Sequence, residues 1–157
     1  MNSNNLSVAQ IEPKGSTPEQ MRSKICALEE KMLEQPQVEI KTTHYYAPQI
    51  YMRQIFIPRG TLLTGKIHKT EHLNILSQGI MTVWTDEGMK KLKASTVIKS
   101  KPGIKRVGYA HEDSVWITVH HNPDNIKDTD ALEEILIAKS FEEVIGSTEV
   151  KKIMEEK

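Results

Sequence analysis

The stretch that decides the fold is Gly60-Thr61-Leu62-Leu63-Thr64-Gly65-Lys66-Ile67-His68-Lys69-Thr70-Glu71-His72, followed by a further glycine at Gly79. Pro58-Arg59-Gly60 reads as a turn into an extended segment, and Gln78-Gly79 as a turn out of the next. In an unbroken strand, Lys66, His68, Thr70 and His72 share one face and Ile67 takes the other, because successive strand residues point to opposite sides. Four adjacent polar groups are poor core material, since each one buried without a partner costs about 1–3 kcal/mol. The face therefore reads as the wall of a ligand cavity. The alternative is a solvent face with Ile67 turned to the core.

Working outward, Ile50 to Pro58, Thr61 to Lys69, Leu73 to Leu76, Ile80 to Thr85, Met89 to Ala94, Thr96 to Ser100, Ile104 to Ala110 and Ser114 to His121 have the composition of short strands. Turn signals at Asp86-Glu87-Gly88, Pro102-Gly103 and Glu112-Asp113 separate several of them. Short strands at this spacing predict a sandwich or closed barrel over residues 37–122. Before it, Thr17, Pro18 and Gln20 make a helix start. Met21, Ile25, Leu28, Met32 and Leu33 recur at helical spacing until Pro36, giving an N-terminal helix in residues 17–36. After it, Asp130 and Glu133 form a capping box for a helix running to Gly146, within a C-terminal helical appendage of residues 123–157 that Ser147 extends by a further short helix. Residues 1–16, rich in Asn, Ser and Gln, read as a flexible polar arm or a partner-docking segment.

A chain of 157 residues can bury one sizeable core. Its 21 basic and 21 acidic residues cancel, so nothing in the overall charge points to nucleic acid or a membrane surface. Cys26 is the only cysteine, which rules out an intramolecular disulfide and a multi-cysteine metal site. No apolar run approaches the ~20 residues of a membrane helix and no secretory leader is evident, so a soluble, cytoplasmic protein is expected. There is no Gly-rich phosphate loop and no Gly-x-Ser-x-Gly elbow. Glu29-Glu30, Glu133-Glu134 and Glu142-Glu143 read as solvated helix faces, Cys26 as core, and Trp84 and Trp116 as packing.

The spacing of 60–79 resembles the first cupin motif: Gly, five residues, His-x-His, three or four residues, Glu, six residues, Gly. Gly60, His68 and Gly79 match, while Lys66 stands for the first His and His72 for the Glu. The second motif falls on Ser95, Lys101, Pro102, Gly103, Arg106 and Ala110, where Gly103 matches and Arg106 stands for the third His. The resemblance covers about Ile50 to His121, and the wording of 60–72 also resembles small cupin-like proteins of tailed bacteriophages. It implies a mainly β, cupin-like jelly-roll barrel with flanking N- and C-terminal helices, often a homodimer, and a divalent metal held by three His and one Glu. Position by position, this chain keeps His68, gains His72 and loses the other two ligands. His120 on the last strand is the best third metal ligand, with His44, His111 and His121 behind it.

Every one of these replacements moves charge in the positive direction. Lys66 and Arg106 in one cavity would oppose a divalent cation and attract phosphate or carboxylate. The leading expectation is a non-enzymatic, phage-encoded binding protein that captures a small anion with Lys66, His68, Thr70, His72 and Arg106, placed in the host cytoplasm or on a virion. One alternative is a virion-associated structural or assembly protein whose arm and helices contact other virion or host proteins. Another is a metal-dependent enzyme built on His68, His72 and His120. A homodimer through barrel edges is expected in each case.

Overall fold

In the computed structural model, residues 16–85 and 87–144 are described. The arm at 1–15, the end of the C-terminal appendage and the short helix after Ser147 lie outside them. Helix α1 spans Pro18–Leu33, and its capping box forms as the sequence predicts. Thr17 accepts from the Gln20 amide while the Gln20 side chain accepts from the Thr17 amide.

Ten strands follow: β1 (Lys41–Ala47), β2 (Ile50–Ile57), β3 (Leu62–Thr64), β4 (Ile67–His68), β5 (His72–Gln78), β6 (Ile80–Thr85), β7 (Gly88–Lys93), β8 (Thr96–Ser100), β9 (Val107–Ala110) and β10 (Ser114–His121). Then come helix α2 (Thr129–Leu136) and a two-residue strand β11 (Ile137–Ala138). The fold is mainly β with flanking helices, as expected. One antiparallel sheet has the order β1-β2-β10-β5-β8 and a second has the order β3-β9-β6-β7, with β11 and β4 pairing separately. The sheets do not close into a continuous barrel. They face each other, and Ile55, Ile57 and Leu76 of the first pack on Met81, Val83 and Ala110 of the second. On the other side of the second sheet, α1 lays Met21, Ile25 and Met32 against Leu62 and Trp84. A buried ion pair pins it there. Lys105 Nζ lies 2.6 Å from Glu29 Oε2, which also accepts from Thr64 Oγ1 at 2.6 Å.

Two expectations change. The segment Thr61 to Lys69 is not one strand: the chain leaves the extended path at Gly65–Lys66 and again after His68. The β4 fragment instead pairs with β11, His68 opposite Ile137, so the chain's C-terminal part holds it in place. For the same reason the C-terminal helix does not run unbroken from Asp130. Asp128, not Asp130, is its cap, accepting from the amides of Asp130 and Ala131. The helix stops at Leu136 because Ile137 and Ala138 are drawn into the ladder with β4, and helical geometry resumes at 141–144. No helix among the described residues is long and apolar enough to cross a membrane.

Candidate functional site

A cavity of about 530 Å³ lies between the two sheets and is capped by α2, whose Leu132, Glu133 and Leu136 join its lining. That volume is in the range of small-molecule sites, roughly 300–1,000 Å³. Alternation along each strand decides what points in. On β2 the inward phase is Tyr51, Arg53, Ile55 and Ile57; on β10 it is Trp116, Thr118 and His120; on β5 it includes His72 and Asn74.

Three imidazoles meet in this cavity. The ring centroids of His68 and His72 are 4.1 Å apart, and His120 lies 5.1 Å from each of them. His68 is set by its backbone: its carbonyl accepts from the Gly103 amide at 2.9 Å while β11 pairs alongside. His72 begins β5 between β10 and β8, opposite Ser100. Its Nδ1–H donates to the Thr70 carbonyl at 2.9 Å, which leaves Nε2 as its lone-pair nitrogen. The Nδ1 of His120 is buried and has no hydrogen-bond partner.

All three rings are held neutral at pH 7. Burial, followed by the fields of His72, His120 and Arg53, pushes His68 down to about 2. Burial, with His72 and Arg53 adding to it, brings His120 to about 4. His72 is lowered by burial, against its hydrogen bond to Thr70 and with help from Arg106. Behind His120, Tyr51 stacks at 5.9 Å, and its hydroxyl is 2.7 Å from His44 Nδ1. Burial raises the Tyr51 phenol above its usual range.

The predicted cationic positions have different fates. Lys66 lines the cavity at its rim but is half exposed and ion-paired with Glu133 of α2. Arg106 lies inside, its Nη1 donating to the Trp84 carbonyl and its Nη2 to Ser100 Oγ, both at 2.7 Å. Thr70 is exposed and does not line the cavity, because the break after His68 rotates it outward. His111 bonds Thr82 Oγ1 instead, and His121 is exposed on the outward phase of β10.

Sequence reasoning missed Arg53, Asn74 and Ser100. Arg53 and Asn74 were legible in principle, being in phase with Ile55 and Ile57 and with His72 and Leu76. Asn74 donates to Ser100 Oγ at 2.6 Å and accepts from Trp116 Nε1 and Thr118 Oγ1, each at 3.2 Å. This network fixes the wall that carries Arg106.

The four positions that a cupin metal would use do not fit one here, since Lys66 is ion-paired at the rim and Arg106 cannot ligate. His68, His72 and His120 bring three neutral imidazoles together instead, one with an unpartnered buried nitrogen. Among the described residues, no group of three or more His, Cys, Asp or Glu is arranged to hold a metal ion.

No protein-family model matches the chain, and no curated protein matches it. Among solved structures it is similar to KdgF from Halomonas sp. at 16% identity, with TM-score 0.47 over 55% of this chain and 85% of that one. It is similar to an RmlC-like cupin from Shewanella frigidimarina at 14% identity, with TM-score 0.47 over 60% and 89%. An acetylacetone dioxygenase from Acinetobacter johnsonii aligns at 16% identity and TM-score 0.44 over 52% of this chain, spanning 59% of the dioxygenase. The likenesses concern the fold. The two-sheet architecture itself rests on the strand pairing given above.

Proposed function

We propose that this protein captures a small anionic molecule in the cavity between its sheets. The observation that carries the reading is the charge of the lining: Arg53, Lys66 and Arg106 against Glu133, with the three imidazoles neutral. Apolar walls from Ile55, Ile57, Met81 and Val83 lower the local dielectric and strengthen each ionic contact. Arg106, held by the Trp84 carbonyl and Ser100, keeps its positive charge fixed inside the cavity, where it favours an anion. The Lys66–Glu133 pair is half exposed, and such pairs are worth only about 0–1 kcal/mol, so Lys66 can exchange Glu133 for a ligand at low cost. The likeness of 60–72 to phage cupin-like proteins supports a phage origin, and in that setting the anion would be a host signalling nucleotide or metabolite.

The test is calorimetry and thermal shift against nucleotides, cyclic dinucleotides and small carboxylates. Arg53→Gln and Arg106→Gln should each weaken binding by about 1.5–3 kcal/mol, the range for a hydrogen bond to a charged group. The absence of any shift across the panel would remove the reading. A metal-dependent enzyme is the second reading, favoured by the meeting of His68, His72 and His120. Turnover that depends on added metal would raise it above the first.

A further inference from the structure

The cavity wall changes character along the strands, row by row. Across β2 and β10 the inward residues pair as Tyr51 with His120, Arg53 with Thr118 and Ile55 with Trp116. The Arg53 row continues to Asn74 on β5 and His44 on β1, and the Ile55 row to Leu76 and Thr42. Arg106, just before β9, reaches the Arg53 row from the other side: its Nη2 donates to Ser100 Oγ, which also accepts from Asn74. Past the Ile55 row, Ile57, Met81 and Val83 line the cavity. Both guanidinium charges therefore sit at one level, with hydrocarbon on one side of them and the imidazoles on the other.

On the basis of the anion-binding reading above, on which this rests, we propose that the ligand is an amphipathic organic acid. Its one acidic group lies at the level of Arg53 and Arg106, and its hydrocarbon body lies between Ile55, Ile57, Met81 and Val83.

The apolar end selects such a body. Ile57 is four strand positions past Arg53, about 13 Å along β2. The polar groups at this end are already engaged: Trp116 Nε1 donates to Asn74 Oδ1 at 3.2 Å, and Thr42 Oγ1 to the Ile40 carbonyl at 3.4 Å. A sugar hydroxyl or a second charge placed there would lose its water and gain no partner, whereas a methylene gains by leaving water. At the opposite end, one row beyond Arg53, the buried Nδ1 of His120 has no hydrogen-bond partner. The acidic group thus lies beside a polar atom that the fold itself leaves unmatched.

The test is calorimetry on the full chain with acetate, butanoate, hexanoate and octanoate, alongside citrate, AMP and neutral octanamide. Affinity should rise about fourfold per added methylene, equivalent to about 0.8 kcal/mol, until the apolar end is full. Octanamide should bind at least about tenfold more weakly than octanoate, having lost the charge that the arginines attract. With isotope-labelled methionine methyls, the terminal methyl of bound octanoate should give a nuclear Overhauser effect to Met81, assigned with Met81→Leu. This last measurement reads the parent protein and needs no variant to bind. Citrate or AMP binding while octanoate binds no tighter than acetate would overturn the amphipathic ligand and leave the anion reading standing. No binding by any acid would remove both. Octanamide equal to octanoate, or octanoate bound without contact to Met81, would also overturn the proposal.

Discussion

His68 and His120 stack at 5.1 Å with 27° between their ring planes, although one lies within the first motif and the other near the end of β10. The fold buries both rings together and thereby makes each a poor base.

This sets a pH dependence for the metal-free protein. In the unfolded chain both histidines take protons near pH 6.5. In the folded chain they resist until about 4 for His120 and about 2 for His68. Between those limits the unfolded state binds more protons, so stability rises with pH. It is full above about pH 6.5 and is lost as pH falls through 4 towards 2. Melting temperatures of chelator-treated protein should drop from pH 7 to pH 4.5. A flat or rising trend would refute the buried-imidazole arrangement.

The Lys105–Glu29 pair ties α1 to the second sheet from a position where the lysine side chain is only 7% exposed. Glu29→Ala leaves that ammonium buried without its carboxylate and removes one hydrogen bond from Thr64 Oγ1. The expected loss is about 3–5 kcal/mol, measured by urea denaturation. A loss under about 1 kcal/mol would show that Lys105 reaches water easily.

The two motif glycines are expected to differ. Both have positive φ, +81° at Gly60 and +89° at Gly79. A Cβ at Gly60 meets nothing within 4 Å, whereas one at Gly79 would lie 2.6 Å from the Asp113 carbonyl and 2.2 Å from Ser114 Oγ. Gly60→Ala should cost about 1–2 kcal/mol from backbone strain alone. Gly79→Ala adds the clash and should exceed it by about 1–3 kcal/mol. Equal melting temperatures for the two variants would contradict the close approach at Gly79.

Homodimerisation has a better candidate than the sheet edges. Phe56, Leu73 and Val97 are exposed on the outward phase of the first sheet, with Ile75 opposite both Val97 and Ile117 in register. The second sheet covers its corresponding face with α1. One apolar patch can serve both copies of a two-fold dimer. Light scattering at micromolar concentration should report a dimer that Leu73→Lys with Val97→Lys converts to monomer. A monomeric parent would remove the expectation.

The sequence by itself determined the strand-rich core, the α1 cap and the placement of glycine at 60 and 79, because these depend on local backbone rules: side-chain period, capping chemistry and turns. It also marked His68, His72 and His120 as a set worth joining. Tertiary structure decided the rest. The single strand read from Thr61 to Lys69 breaks because β11 pairs with Ile67 and His68, a contact between distant segments that no local pattern encodes. That break turns Thr70 to solvent and leaves His72 inside. Lys66 finds Glu133 only because α2 folds over the cavity mouth, and Arg53 joins the site only because β2 faces the second sheet. Alternation tells which residues share a face, but only packing tells what that face meets.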